Sequence, residues 1–202
     1  MLLCISVCLV PSKNIETYSS CKHLVHIGDS TSVPIVKQLK TKYESIGFND
    51  VHISVGNGRS LVYSQKPDTM SGINAINYYR RKLGSGICWV IALGTNDAAS
   101  TQRPDDSTRI DLTMEAINGD RVVWINVWMN SSRPGYNIYN SKKWNTLLSN
   151  KLKIYSHAYI VNWAAISKGF PQWFSDGYHY TNLGYKKRSE YIPINVAYLL
   201  MP

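Results

Sequence analysis

The chain has 202 residues, 44% of them hydrophobic, and a formal charge of +9. That length fits one domain, able to bury about 70% of its unfolded-chain surface, and the composition excludes wholesale disorder. The basic balance suits nucleic acid, an anionic membrane surface or an anionic polymer, yet Lys and Arg are scattered in short clusters at most, such as Arg80-Arg81-Lys82 and Lys186-Lys187-Arg188, with no nucleic-acid motif beside them. Nucleic acid is therefore not an expected partner. Attraction to an anionic cell envelope or membrane surface stays open, and a solvated basic surface explains the charge equally well.

Residues 1–10 are apolar and end at Pro11. This run is too short to span a bilayer and lacks the basic start and small-residue cleavage site of a full signal peptide. A truncated signal, the tail of an upstream membrane segment and a buried strand are the alternatives. Residues 1–20 are read as an N-terminal segment ahead of one domain over 21–202, and an extracellular or envelope-associated location is expected.

Leu24, Val25 and Ile27 form a buried-strand run that leads into Gly28-Asp29-Ser30-Thr31-Ser32. Ser32 can cap the next helix, with Pro34 in its first turn. That helix is predicted over Val33 to Ile46, where apolar residues recur at steps of three and four, and Gly47 suits its end. A short strand, Val51 to Val55, ends in the turn-rich Gly56-Asn57-Gly58-Arg59-Ser60. A second helix is predicted from about Asp68 to Leu83. Ile87 to Leu93 is the strongest buried strand, with Gly94-Thr95-Asn96-Asp97 at its carboxyl end. Helix over Pro104 to Ile117, strand over Val122 to Trp128 and a helix marked by Trp144, Leu147, Leu148 and Leu152 follow. Ala158 to Trp163 is a fifth strand. An aromatic loop with Phe170, Trp173 and Phe174 leads to Asp176-Gly177-Tyr178-His179. Thr181 caps a last helix, which Pro193 is expected to kink or interrupt.

Strand and helix alternate five times, which predicts an α/β fold with a parallel sheet covered by helices on both faces. Ligands in such sheets bind beyond the carboxyl ends of the strands, where Ser30, Gly58, Asn96 and the Asp176–His179 loop all fall.

A serine at a strand-to-helix junction sits near outward-pointing N–H groups that favour negative charge, which suits a nucleophile whose attack creates an oxyanion. The plain alternative is a helix cap. His179 stands out among the five histidines because Asp176 lies three residues earlier in a turn-prone loop, where a carboxylate can orient the imidazole. His23, His26, His52 and His157 read as packed or surface residues. The Ser30 N–H, the N–H of Gly58 or Gly56, and the Asn96 side chain are candidate oxyanion donors. Ordinary turn roles are the alternative for the glycines and for Asn96.

Four cysteines are present, without a zinc-ligand pattern. Cys21 and Cys88 each precede a strand run and a glycine at similar spacing. If the two strands are parallel neighbours, a disulfide between them is sterically reasonable. Two reduced, buried thiols are the alternative.

Gly28-Asp29-Ser30, Gly58-Arg59-Ser60, Gly94-Thr95-Asn96-Asp97 and Asp176 with His179 resemble, in order, the four sequence blocks of the SGNH (GDSL-like) hydrolases. The resemblance covers about residues 21–190. It implies a three-layer α/β/α sandwich whose five parallel strands take the flavodoxin-like order 2-1-3-4-5. That order makes the first and third strands neighbours and so supports the Cys21–Cys88 pairing. It implies Ser30 as nucleophile, His179 as base, Asp176 as its partner, and Ser30, Gly58 and Asn96 as the oxyanion hole, with no metal and no cofactor. Gly-x-Ser-x-Gly is absent, which argues against the α/β-hydrolase elbow.

The expected activity is that of a serine esterase acting on small O-acyl esters of carbohydrate or cell-envelope glycans, as a monomer. An O-acyltransferase using the same triad and a non-catalytic glycan-binding domain are the rivals. Trp128, Tyr136, Trp173 and Phe174 are candidates to line the acceptor site, with core packing as the alternative for each.

Overall fold

The computed structural model describes residues 21–201. The segment over residues 1–20, with Cys4 and Cys8, lies outside the described residues. Five strands, β1 (His23–Gly28), β2 (Val51–Val55), β3 (Ile87–Ala92), β4 (Val122–Ile125) and β5 (Ala158–Val161), form one sheet. Every pair is parallel and the order is β2-β1-β3-β4-β5. Seven helices connect or flank them: α1 (Val36–Ser45), α2 (Gly72–Leu83), α3 (Thr95–Ala98), α4 (Asp106–Ile117), α5 (Ile138–Leu152), α6 (Trp163–Ser167) and α7 (Asn182–Leu200).

Strand side chains alternate between faces, so a strand buried on both sides feeds two cores. Val25, Ile27, Trp89, Ile91 and Trp124 join α2, α4 and α5 on one face. Leu24, Val90, Val123 and Ile125 join α1 and α7 on the other. The result is the three-layer sandwich that the sequence blocks implied. Cys21 and Cys88 lie at the amino edge of β1 and β3 and form a disulfide.

Several boundaries differ from the sequence expectation, each for a local reason. Ser32 stands at the cap position but makes no side-chain bond to the helix. Its backbone is helical (φ −109°, ψ −18°) rather than extended, so the hydroxyl is not aimed at the helix start, which is a 3-10 turn over Val33–Ile35. The second helix begins at Gly72, because Ser71 caps it by accepting from Asn74 N–H at 3.2 Å. Asp105 likewise starts α4 by accepting from Thr108 N–H. β5 stops at Val161 because the Asn162 side chain caps α6 immediately afterwards.

Pro193 does not interrupt α7. A proline inside a helix costs about 3 kcal/mol, but Ile192, Val196 and Leu200 around it are fully buried, each contributing about 2 kcal/mol. Tertiary packing therefore holds the helix through the break.

The disulfide closes a loop of 67 residues, which in the chain-entropy account is worth about 4 kcal/mol. Replacing both cysteines by alanine is expected to lower the unfolding free energy by that order in urea titration, with little change in the folded far-UV spectrum.

Candidate active site

Ser30 leaves β1 at a turn that a buried carboxylate shapes. Asp29 Oδ1 accepts from Thr31 N–H at 2.9 Å and from the Thr31 hydroxyl at 2.7 Å, while Asp29 C=O accepts from Ser32 N–H. Burial pushes the Asp29 carboxyl above its usual range, and the two Thr31 hydrogen bonds and the Arg188 charge work against that rise. The turn leaves Ser30 half-buried at its apex.

His179 reaches Ser30 from the far end of the chain. Asp176 Oδ1 accepts the backbone N–H groups of Tyr178 (3.1 Å) and His179 (2.7 Å), closing the loop on itself. Gly177 has φ +91°, and a side chain there would strike the Asn130 carbonyl at 2.3 Å. Its own carbonyl accepts from Asn130 N–H at 2.7 Å, docking the loop beyond β4. In this setting His179 Nε2 lies 2.9 Å from Ser30 Oγ and His179 Nδ1 2.7 Å from Asp176 Oδ2. Burial raises the Asp176 carboxyl, but the hydrogen bonds from the His179 ring and the two backbone N–H groups outweigh it, and the group stays below its usual value. It is an anion at neutral pH, suited to hold an imidazolium.

The glycine loop and the α3 block are tied to each other. Gly56 N–H is taken by the Gly28 carbonyl at 3.2 Å, an extension of the β1–β2 ladder. Of the two glycines, that leaves Gly58 as the donor candidate. Gly58 turns the chain at φ +68° and accepts from Gln65 N–H at 3.0 Å. Asn96 Nδ2 donates to the Arg59 carbonyl at 2.9 Å, and Asn96 Oδ1 accepts from Tyr136 OH at 2.9 Å. These two bonds decide which way the amide faces, and the second hydrogen of Nδ2 is not the one spent on Arg59. Asp97 Oδ1 accepts from Leu61 N–H at 3.0 Å. Burial pushes the Asp97 carboxyl up to about 7, while that N–H and the Arg109 charge pull it down.

Ser30, His179 and Asp176 therefore meet, and the Gly58 and Asn96 blocks are fastened side by side. The four aromatic residues are not gathered in the same way. Tyr136 is buried and spent on Asn96, and Trp173 is buried between Trp163 and Phe170, so neither lines an open acceptor site. Phe174 packs on Tyr180. Trp128 lines a cleft of about 690 Å³ with Asn126, Lys142 and Asn162, in which Ser30, Asp176 and His179 take no part.

Three buried arginines carry the scaffold and had no assigned role in the sequence. Arg59 donates to the carbonyls of Met70 (2.8 Å) and Ser54 (2.7 Å). Arg109 donates to Pro104 C=O and Gln102 C=O and faces Asp97 at 3.6 Å. Arg188 lies near Tyr180 OH (3.4 Å) and Thr31 Oγ1 (3.5 Å). Its spacing of four and eight residues from Ile192 and Val196 was the available signal that it lies on the buried face rather than in a surface basic cluster. Arg133 stacks over Tyr136 (4.7 Å) and donates to Tyr178 OH at 2.6 Å.

No protein-family model and no curated protein matches the chain. Solved structures do. A GDSL-like lipase from Bacteroides thetaiotaomicron aligns with a TM-score of 0.64 at 17% identity, covering 89% of each chain. The C-terminal catalytic domain of Streptococcus pneumoniae peptidoglycan O-acetyltransferase A aligns at 0.67 and 12% identity, covering 89% of this chain and 93% of that one. Est24, a carbohydrate acetylesterase from Sinorhizobium meliloti, aligns at 0.63 and 13% identity, covering 88% and 99%. The chain has the fold of the SGNH (GDSL-like) hydrolases.

Behind the Ser30 turn, His26 is fully buried with Nδ1 3.1 Å from Tyr43 OH. Burial, with Arg188 adding to it, pushes its pKa down to about 3. The folded state thus refuses a proton that the unfolded state accepts below about 6.5. Stability from this group is full above that value and is lost as pH falls from about 6.5 towards 3, at up to about 1.4 kcal/mol per pH unit. In urea unfolding at a series of pH values, His26→Gln is expected to lose this component of the acid slope. Equal slopes in wild type and variant contradict it.

Proposed function

We propose that this chain is a serine acyl-ester enzyme, hydrolysing small O-acyl esters on carbohydrate or cell-envelope glycans through an acyl-enzyme on Ser30. The observation that carries the reading is the relay from Ser30 Oγ through His179 (2.9 Å) to Asp176 (2.7 Å). A serine hydroxyl becomes a useful nucleophile only when a base takes its proton, and that base works best when a carboxylate fixes its tautomer.

Ser30 Oγ attacks the ester carbonyl while His179 Nε2 takes its proton. Asp176 stabilises the imidazolium. The carbonyl oxygen becomes an oxyanion held by Ser30 N–H, Gly58 N–H and the second amide hydrogen of Asn96. Each such donor is worth about 100- to 1,000-fold in rate. The intermediate collapses, and the alcohol leaves with the proton from His179. Water, deprotonated by His179, then attacks the acyl-enzyme. Collapse releases the acid and restores Ser30. None of these steps calls for a metal or an organic cofactor.

The acyl-glycan preference draws on the carbohydrate acetylesterase and the peptidoglycan O-acetyltransferase domain that share the fold. The second of these favours one alternative, in which a sugar hydroxyl replaces water and the product is an acylated glycan. A disulfide suits an oxidising compartment, which supports an extracellular or envelope-associated location. Among the described residues no helix is long and apolar enough to cross a membrane.

A fluorophosphonate probe is expected to label the wild type but not Ser30→Ala. Ser30→Ala and His179→Ala should each abolish turnover of a nitrophenyl acetate series. No turnover and no probe labelling in the wild type return the chain to a binding role, and undiminished turnover in Ser30→Ala overturns Ser30 as the nucleophile. Adding a glycan acceptor separates the alternatives, since acylated glycan rather than free acid marks a transferase.

Asn96→Ala is expected to cut kcat by about 100-fold or more. Tyr136→Phe, which leaves the Asn96 amide free to turn over, should lower kcat with little change in KM. Near-normal kcat in Asn96→Ala contradicts its assignment as donor.

A further inference from the structure

The opposite, amino edge of the sheet carries a second group of ligating side chains. His23 opens β1, Asp50 immediately precedes β2, and His52 is the second residue of β2. The two strands are parallel neighbours, with Val25 beside His52. Leu24 N–H donates to Asp50 C=O at 2.9 Å, which fixes the Asp50 backbone against β1. His23 and Val25 share a face, being two residues apart, and His52 sits across from Val25 on that face. His23 Nδ1 lies 2.5 Å from Asp50 Oδ2, and His52 Nε2 lies 3.0 Å from Asp50 Oδ1. The three ligand atoms fall within 4.8 Å of one another.

Two ordinary imidazole–carboxylate hydrogen bonds do not account for this cluster. His52 Nε2 is buried and makes no well-directed hydrogen bond. It is near enough to Asp50 Oδ1 but misdirected for a hydrogen bond. A buried nitrogen whose one polar neighbour is poorly aligned carries a cost that a cation among the three groups removes.

We propose that His23 Nδ1, Asp50 and His52 Nε2 bind a divalent cation of the zinc class. Imidazole with carboxylate suits zinc, whereas calcium and magnesium take oxygen ligands. Ligands on tetrahedral zinc, at about 2.0–2.2 Å from the ion, stand about 3.4 Å apart. Small rotations of the two rings convert the present spacing to that one. Three protein ligands leave a fourth position for water. The side chains are 23%, 47% and 22% exposed, so the ion has a path in.

The site stands apart from Ser30 and takes no part in its chemistry. It lies roughly 20 Å from Ser30, six or seven residues away along β1 at about 3.3 Å each. It ties β1 to the edge strand β2, beside the disulfide that ties β1 to β3. The proposal is independent of the chemistry assigned to Ser30.

Untagged protein, dialysed against a chelator, is titrated with zinc chloride by calorimetry and thermal unfolding, and with cobalt chloride by visible absorption. The expected result is one ion per chain, a raised Tm and the intense visible band of tetrahedral cobalt. His52→Gln, His23→Asn and Asp50→Asn should each weaken binding about tenfold or more while keeping the far-UV spectrum. Absence of binding, or binding that all three variants share with wild type, overturns the proposal. The wild-type cobalt spectrum decides the matter should a variant fail to fold, because the weak absorption of octahedral cobalt also overturns it.

Discussion

The hydrogen bond between Ser30 and His179 spans 149 residues and depends on the architecture around it. Neither partner is held by the other. Ser30 is set by the Asp29 turn at the end of β1, and His179 by a loop that closes on Asp176 and docks on Asn130 through Gly177. β1 lies inside the sheet, between β2 and β3, and feeds both cores, so the position of Ser30 is fixed by two cores at once. Mutual orientation of this kind is what the proposed nucleophile and base require.

That orientation rests on polar groups buried beneath the site. Desolvating a guanidinium or a carboxylate is expensive unless hydrogen bonds replace water. Arg59 and Arg109 meet that requirement with backbone carbonyls, and in doing so they hold the loops on which Gly58 and Asn96 sit. Asn96 shows the same economy, since one amide joins the glycine loop through Arg59 and a tyrosine from the loop after β4 through its oxygen. Arg188 is less well satisfied. Its contacts are long and its Nε has no partner, yet its charge depresses His26 and opposes the upward push of burial on Asp29, Tyr43 and Tyr180.

The two edges of the sheet do different work. Chemistry-bearing loops collect at the carboxyl ends of the strands, as parallel sheets generally arrange. Cross-links collect at the amino ends, where the Cys21–Cys88 bridge and the His23, Asp50 and His52 cluster lie. Stiffening the edge remote from the loops secures strand register without restricting the loops at the carboxyl ends.

Sequence alone determined the alternation of strand and helix, because periodicity and turn residues are local properties. It also placed Ser30, Gly58, Asn96, Asp176 and His179 in four blocks at strand ends, because the resemblance rests on short contiguous motifs. Boundaries set by side-chain capping shifted by a few residues. Ser71 falls inside the predicted second helix and Asn162 inside the predicted fifth strand, and only their hydrogen bonds show that each is a cap. Pro193 misled because a local rule forbids what distant packing sustains. Only the tertiary structure decided that Gly56 is spent on the strand ladder while Gly58 is not, and that Tyr136 serves Asn96 from inside rather than lining the site. Each of those depends on which partner a group finds across the sheet, and no spacing along the chain records that.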